Sequence, residues 1–284
     1  MNIGFLGAGK VGFTLGRFFT EEGLPLTGYY NRHREAAEEA ARFTGSAMFE
    51  SMQQLVQMSD VIFFTVPDGA VIPVYRSIPK DLLAGKQLCH CSGALTAEDA
   101  FPGAAQAGAS ILSIHPLFPV SSKSASYREL KGAFFCLEGD TKCVHAWSER
   151  LHGFGCPTIS VRAADKVRYH AACTISSNLV CALVQESLDL LAACGLSEQT
   201  ALRALTPLIR SNLEHILEVG PQQALTGPVE RNDTGTVAGH LRAIERRSDL
   251  DLYRAGSERL TEMAEQRHPD RDYSAMHHQL EKES

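Results

Sequence analysis

The sequence has no excess of positive charge and no long apolar run. Its 27 Lys and Arg residues against 33 Asp and Glu residues give a formal net charge of −6. A nucleic-acid-binding protein is expected to carry a basic face, so this balance argues against nucleic acid as a partner. No run approaches the roughly 18 apolar residues that a membrane span needs, so we expect no membrane partner.

The sequence also lacks a recognisable leader and paired cysteines. The N-terminal "MNIGFLGAGKVG" has neither the basic segment nor the cleavage site of a secretory signal. None of the eight cysteines forms a C-x-x-C pair, which indicates reduced thiols in a cytoplasmic protein. Neighbouring side chains of a strand point to opposite faces, so Cys89-His90-Cys91 is a poor zinc site, and we predict no metal.

Apolar runs alternate with helix-like runs over the first 160 residues. Short continuous runs such as "NIGFLG" and "DVIFFTVP" are typical of strands that are buried on both faces. This alternation predicts an α/β domain with a mostly parallel sheet and helices on both faces. From Ala164 onward the pattern is helical throughout, beginning with one long helix up to Gly195, and Pro207 predicts a kink in the next helix. We therefore predict two domains, an α/β domain over residues 1–162 and an all-α domain over 163–284.

A glycine-rich turn follows the first predicted strand and opens the first helix. The motif has the form G-x-G-x-x-G and consists of Gly7, Ala8, Gly9, Lys10, Val11 and Gly12. The first glycine permits a sharp turn, the second permits close approach of a pyrophosphate, and the third permits tight helix–strand packing. At the N-terminus of a strand–helix unit this motif predicts a Rossmann-type dinucleotide-binding domain, although a tight turn without a ligand gives the same pattern.

The end of the second strand bears on the choice of nucleotide. NAD-binding proteins usually carry an acidic residue there, whereas this sequence has Asn31 and Arg32, with Arg34 as a possible helper. Arginine pairs with a 2′-phosphate, which favours NADP (NADPH) as the cofactor. The alternative is that these arginines are solvated loop charges. Val66 and Pro67 follow a third strand and are further candidates for cofactor contact.

Two polar residues follow later strands of the predicted sheet. Ser92 and His115 lie just beyond the strand ends, where a nicotinamide and a substrate would meet. The alternatives are a capping serine and a histidine that is bonded to a loop carbonyl.

A polar stripe crosses the start of the helical region. Lys166, His170, Thr174 and Asn178 recur every fourth residue, and we expect the apolar residues between them to be buried. A lysine ammonium can hold a carboxylate or donate a proton, a histidine can relay that proton, and an amide can orient the substrate. The alternative is a lysine that extends along the helix start above an ordinary core histidine.

Several motifs together resemble a family of bacterial Rossmann-like proteins whose C-terminal helical domain is of unknown function. They are "IGFLGAGKVG", "YYNRH", "CHCSGAL", "SIHPL" and "LTGPVERND". That family is similar to ketopantoate reductases, pyrroline-5-carboxylate reductases and β-hydroxyacid dehydrogenases. The resemblance implies that Lys166 matches a catalytic lysine, although the residue four positions on is His170 and not asparagine. Arg231 and Asp233 would lie on the substrate side or at a dimer contact, or would form a structured turn.

The resulting hypothesis is an NADPH-dependent reductase of a small 2-oxo acid, with ketopantoate in pantothenate biosynthesis as the favoured substrate. Lys166, His170, Asn178, Ser92 and His115 are the candidate catalytic residues. One alternative is an imine reductase of the pyrroline-5-carboxylate type, and another is a non-catalytic NADP(H)-binding sensor. The apolar stripes of the helical domain predict a homodimer.

Overall fold

Eight strands form one sheet in the computed structural model, which describes residues 1–281. They are β1 (Ile3–Leu6), β2 (Leu26–Tyr30), β3 (Ala47–Met48), β4 (Val61–Phe64), β5 (Gln87–His90), β6 (Ser110–Pro116), β7 (Phe135–Gly139) and β8 (Thr158–Ser160). The strand order is β3-β2-β1-β4-β5-β6-β7-β8, and every neighbouring pair is parallel except β6 and β7. The predicted mostly parallel sheet is confirmed. The sequence pattern missed β3, whose two residues are too few to show a pattern.

Seven helices accompany the sheet. They are α1 (Lys10–Glu21), α2 (Arg34–Thr44), α3 (Met52–Met58), α4 (Asp68–Arg76), α5 (Ala97–Ala100), α6 (Thr141–Gly153) and α7 (Lys166–Ser176). Along β4, Val61 and Phe63 belong to one apolar cluster, whereas Ile62 and Phe64 belong to another. Alternate side chains of a strand point to opposite faces, so both faces of the sheet are buried and the apolar runs are explained.

The direction of the strand order reverses at β1, which lies between β2 and β4. In open α/β sheets the crevice for a ligand forms outside the carboxyl ends of the strands at such a switch point. The turn after β1 is the glycine motif, so the fold places that motif at the expected position.

The chain divides into two compact units, Met1–Ser176 and the part that starts at Ser177. The second unit contains α8 (Asn178–Ala193), α9 (Glu198–Val219), α10 (Pro221–Ala224), α11 (Thr234–Ala243), α12 (Arg247–Arg267) and α13 (Ser274–Leu280). As predicted, residues 161–281 contain no strand. The strands end near residue 162, and α7 clusters with the sheet-containing unit.

The long helix that was predicted from residue 166 to Gly195 is interrupted. Ser177, with φ −126° and ψ −67°, separates α7 from α8. The local apolar pattern carries no sign of this break, and the prediction of one continuous helix was wrong. Pro207 lies inside α9, which continues through it.

Within residues 1–281, one helical stretch is long and apolar enough to cross a membrane by length and composition alone. It covers Ala163–Ala193, has a mean hydropathy of 1.2, and is 6% buried in its most apolar window. A single stretch of this kind is weak evidence for a membrane span. Its low burial shows that apolar side chains of these helices are exposed to solvent.

Candidate functional site

The glycine motif forms a tight cradle against the end of β4. Gly7 has φ +110°, and a Cβ atom there would lie 2.7 Å from the backbone of Thr65. A Cβ on Gly12 would lie 2.6 Å from the carbonyl oxygen of Gly7. The Thr65 hydroxyl donates a 2.8 Å hydrogen bond to that same carbonyl. Glycine is therefore required at both positions by geometry.

The N-terminus of α1 is open to an anion. Its N-cap is Gly9, which has no side chain that could accept a hydrogen bond from the first turn. The first N–H groups of a helix lack partners within the helix and sit at the positive end of its dipole. A backbone cradle without Cβ atoms beside an uncapped helix start fits the pyrophosphate of a dinucleotide. Residues 7–12 would hold that group.

The three candidate residues after β2 have different surroundings. The side chain of Asn31 accepts a hydrogen bond from the Ala8 N–H (3.3 Å) and donates one to the carbonyl of His33, so its amide supports the glycine loop. Arg34 is bound to Glu38 at 2.8 Å and Glu50 at 2.6 Å. Arg32 is exposed. Of the two arginines, Arg32 is thus the one that suits a 2′-phosphate.

Ser92 has little hydrogen-bonding capacity left for a substrate. Its hydroxyl donates to Asp68 at 2.6 Å and accepts from the N–H groups of Ala94 and Leu95 at 3.2 and 3.0 Å. A hydroxyl has one proton and two lone pairs, so these three bonds saturate it. Ser92 organises the loop after β5 and links it to the start of α4, where Val66 and Pro67 precede Asp68.

His90 is a fully buried neutral imidazole below that loop. Its Nδ1 atom accepts the Ser92 N–H at 3.2 Å, which leaves the proton on Nε2. Burial, and next the positive charge of Lys166, lower the pKa of His90 to about 3. Among residues 1–281 its Nε2 has no hydrogen-bond partner. The ring lies edge-on to Phe101, with centroids 5.7 Å apart.

Two histidines and a tyrosine meet at the end of β6. The Nδ1 atom of His115 lies 2.7 Å from the hydroxyl of Tyr169, and the rings of His115 and His170 are perpendicular with centroids 5.9 Å apart. A Cβ on Gly93 would lie 2.3 Å from His170 Cδ2 and 3.0 Å from His115 Nε2. Both imidazoles therefore occupy the space that a side chain at residue 93 would need. We refer to Gly93, His115, Tyr169 and His170 as the imidazole cluster.

Lys166 is buried and ion-paired. Its ammonium group donates to Glu138 at 3.0 Å, and the two side chains are 1% and 7% exposed. The same carboxylate oxygen accepts the N–H of Ala97 at 2.9 Å. Burial lowers the pKa of Lys166, and Glu138 opposes that effect. With its side chain 1% exposed, the ammonium group is not accessible to a substrate carboxylate in this structure, so the catalytic role of Lys166 stays a prediction.

On α7 the polar residues Lys166 and His170 face the interior of the protein, whereas the apolar residues beside them are exposed. Lys166 is buried and His170 is half-buried, whereas Val167 and Ile175 are 68% and 62% exposed. The expectation that the apolar positions would be buried was wrong for a single chain. Asn178 is exposed and begins α8 in the second unit, beyond the break at Ser177, so its place in the stripe is not supported.

The distinctive "LTGPVERND" segment forms a structured turn. Asn232 adopts φ +58° and donates to the carbonyl of Asp272, and Tyr273 donates to the carbonyl of Glu230 at 2.6 Å. Asp233 caps α11 by accepting from the Thr236 N–H. Arg231 is exposed on this turn. The structured turn that was the alternative to a functional role therefore explains this segment, except for the exposed Arg231.

Sequence reasoning placed Asp68 and Gly93 in loops at the carboxyl edge of the sheet, but it missed Glu138 and gave Tyr169 no role. Tyr169 stands directly before His170, and a polar atom next to a singled-out histidine was a usable signal. Glu138 lies 28 residues before Lys166, in an otherwise apolar strand. A buried acidic residue needs a partner, and this was the only indication of the ion pair in the sequence. Among the described residues, no group of three His, Cys, Asp or Glu side chains is placed to hold a metal ion.

The fold and the glycine cradle define a Rossmann-type dinucleotide-binding unit, and comparison with protein families agrees. Residues 2–92 match the family described as NADP oxidoreductase, coenzyme F420-dependent. Residues 133–260 match a domain of unknown function, DUF2520, which begins within the sheet and continues into α12. The predicted NADP oxidoreductase domain and the resemblance to proteins with a domain of unknown function are confirmed.

Solved structures agree with the fold across nearly the whole chain. Protein TM1727 from Thermotoga maritima matches with a TM-score of 0.72 and 29% identity, over 93% of this chain and 99% of that one. A reductive aminase from Aspergillus terreus in complex with NADPH and ethyl-5-oxohexanoate matches with a TM-score of 0.65 and 16% identity, over 92% and 93%. A pyrroline-5-carboxylate reductase from Coxiella burnetii gives 0.59 and 16%, over 92% and 98%. No curated protein matches the sequence.

The buried ion pair yields a double-mutant prediction. We expect Lys166→Met and Glu138→Gln each to lower the free energy of unfolding by about 3 kcal/mol or more, because each leaves one buried charge without its partner. The double variant removes both charges and should lose clearly less than the sum of the two single losses. Urea unfolding followed by circular dichroism measures all four proteins.

Glu39→Gln is the matched control. Glu39 is bound to Lys123 at 2.8 Å, but both side chains are exposed. An exposed pair contributes at most about 1 kcal/mol, so this variant should unfold close to the wild type. Additive losses in the Lys166–Glu138 cycle would contradict the buried pair.

Proposed function

We propose that the protein is an NADPH-dependent reductase of a small molecule with a C=O or C=N bond. The observation that carries this proposal is the position of two features on one edge of the sheet. The anion cradle follows β1, and the imidazole cluster lies at the ends of β5 and β6, two and three strands away. Neighbouring strands are about 4.8 Å apart, so the two features are separated by roughly 10 to 14 Å, a span that suits one half of an extended dinucleotide.

Bound NADPH would supply a hydride to the substrate carbon and leave as NADP⁺, and the proton that the substrate heteroatom takes up would come from solvent water. The protein must then provide a hydrogen-bond donor to the substrate heteroatom, on which negative charge develops. We assign this task to His115 and His170, because their rings meet beside Gly93. Lys166 lies behind them as a fixed positive charge, and Ser92 and Asp68 hold the loop that carries Gly93 in place.

A small 2-oxo acid is the first substrate class, with ketopantoate as the favoured member. An acidic chain that binds an anion must concentrate positive charge locally. The pairing of Lys166 with Glu138 weakens the argument that this lysine binds the carboxylate, so a second class has to be tested beside it. That class is a cyclic imine such as pyrroline-5-carboxylate, and the likeness of the fold to a reductive aminase and a pyrroline-5-carboxylate reductase favours including it.

NADPH consumption with a panel of 2-oxo acids, simple ketones and cyclic imines tests the proposal. We expect turnover with one class, and we expect His170→Ala to lower that turnover by at least about tenfold, the range of a lost acid–base or hydrogen-bonding group. Tight NADPH binding without hydride transfer to any member would contradict the reductase and would favour a nucleotide-binding sensor.

Arg32 is our candidate for recognition of the 2′-phosphate. The variant Arg32→Asp removes a charge-assisted bond and adds repulsion, so NADPH affinity should fall about ten- to hundredfold while NADH affinity is kept. Fluorescence titration of both nucleotides measures the difference. Arg34→Ala serves as the control, because Arg34 is already paired with two glutamates. Equal losses for NADPH and NADH in Arg32→Asp would refute this assignment.

We also propose that a second copy of the chain covers the exposed apolar surface of α8 and α9. Leu183, Leu208 and Leu217 are among the most exposed apolar side chains of these helices, at 52%, 66% and 85%. An exposed apolar surface of this kind marks a contact with another protein surface or a membrane. Two-fold pairing of this helical surface with itself would bury it in a homodimer. The reduced thiols that the cysteine spacing predicts suit a cytoplasmic location.

The molar mass in solution tests the homodimer. Light scattering should give twice the chain mass of 30.9 kDa for the wild type, and the chain mass itself for Leu213→Glu/Leu217→Glu. Leu252→Glu, on α12, should remain dimeric. A monomeric wild type, or one that partitions into lipid vesicles, would contradict the proposed partner.

A further inference from the structure

The hydroxyl of Tyr169 has three polar neighbours of unequal strength. It lies 2.7 Å from His115 Nδ1, and the thiols of Cys136 and Cys173 are also within hydrogen-bonding reach. Burial raises the pKa of Tyr169, so the phenol keeps its proton. The question is therefore which neighbour receives that proton in a hydrogen bond.

The chemistry of the neighbours decides the direction of the bond. A thiol is a weak donor and a weak acceptor, whereas an imidazole nitrogen with a lone pair is a strong acceptor. The strongest hydrogen bond is therefore the one that the Tyr169 hydroxyl donates to His115 Nδ1. The neutral imidazole then carries its own proton on Nε2, the nitrogen that adjoins Gly93.

We propose that Tyr169 is a positioning residue that holds His115 in the Nε2–H tautomer, so that the site offers a neutral N–H donor to the reacting heteroatom. The proposal rests on the proposed function and narrows its substrate class. A carbonyl oxygen accepts such a bond through a lone pair. A protonated iminium nitrogen has no lone pair and would face this donor unfavourably.

The surroundings of His115 keep it neutral over the ordinary pH range. Burial, then the neighbouring His170 and Lys166, lower the pKa of His115 to about 4, and Asp68 opposes them. The charged and titratable groups around the ring are His170, Lys166 and Tyr169 on α7, Asp68 at the start of α4, His90 on β5 and Cys136 on β7. The neutral form of His115 thus prevails above about pH 4, and His115 should add no acidic limb to the rate between pH 5 and 8.

The tautomer can be measured directly by NMR on protein labelled with ¹⁵N-histidine. His115→Gln identifies the His115 resonances by their absence. In the wild type we expect the pattern of an Nε2–H imidazole from pH 5 to 8. In Tyr169→Phe, which keeps the ring and removes the hydroxyl, we expect a mixture of tautomers, a three- to tenfold lower kcat and a nearly unchanged KM, as for a lost neutral hydrogen bond.

The chain contains a matched control pair. His240 Nδ1 and the Tyr253 hydroxyl are also 2.7 Å apart, with perpendicular rings, but they lie between α11 and α12. Tyr253→Phe should change the His240 resonances and leave both the His115 tautomer and the turnover unchanged. His115→Gln keeps an N–H donor and should retain more activity on carbonyl substrates than His115→Leu.

The outcomes separate this inference from the reductase proposal. A wild-type His115 protonated on Nδ1, or a tautomer that does not respond to Tyr169→Phe, would overturn the inference even if the enzyme is active. An Nε2–H tautomer that responds to the variant, together with a preference for carbonyl substrates, supports it. If no substrate turns over, the reductase proposal fails and the carbonyl preference fails with it, while the spectra still decide the tautomer. Should Tyr169→Phe not fold, the wild-type spectrum decides alone.

Discussion

The ion pair between Lys166 and Glu138 is the interaction on which the candidate site depends. It joins the first residue of α7 to β7, and the same carboxylate also binds the backbone N–H of Ala97 at the start of α5. Separating the two charges of a buried ion pair costs free energy, so the pair fixes the first turn of α7 against the sheet. Tyr169 and His170 follow three and four residues later and reach the end of β6 for that reason.

The same burial governs the chemistry. Low exposure and a nearby ammonium group both disfavour a second positive charge, which keeps His90 and His115 neutral. His115 therefore offers a hydrogen bond, not a charge, to whatever lies beside Gly93. The glycine cradle works differently, because its N–H groups and the helix dipole attract a charged pyrophosphate. One edge of the sheet thus combines a site for anions with a site for a neutral polar group.

Features with a local cause could be predicted from the sequence. The glycines of the motif permit its tight turn, and continuous apolar runs indicate buried strands. The cradle and the sheet can therefore be predicted from residues that are close in the sequence. Contacts between distant residues could not be predicted in this way. Glu138 is 28 residues from Lys166, and no residue near Lys166 in the sequence indicates that Glu138 is its partner. The break at Ser177, which removes Asn178 from the stripe, has no counterpart in the apolar pattern of the sequence.

The most direct test is an NMR titration of the protein with NADP⁺ that follows backbone amide and histidine side-chain signals. The account predicts that Gly9 and Gly12 respond to the cofactor at the same concentrations as Gly93 and His115, while His240 does not change. A response of the glycine loop without any response at Gly93 and His115 would contradict it, because the cofactor would then not extend to the imidazole cluster.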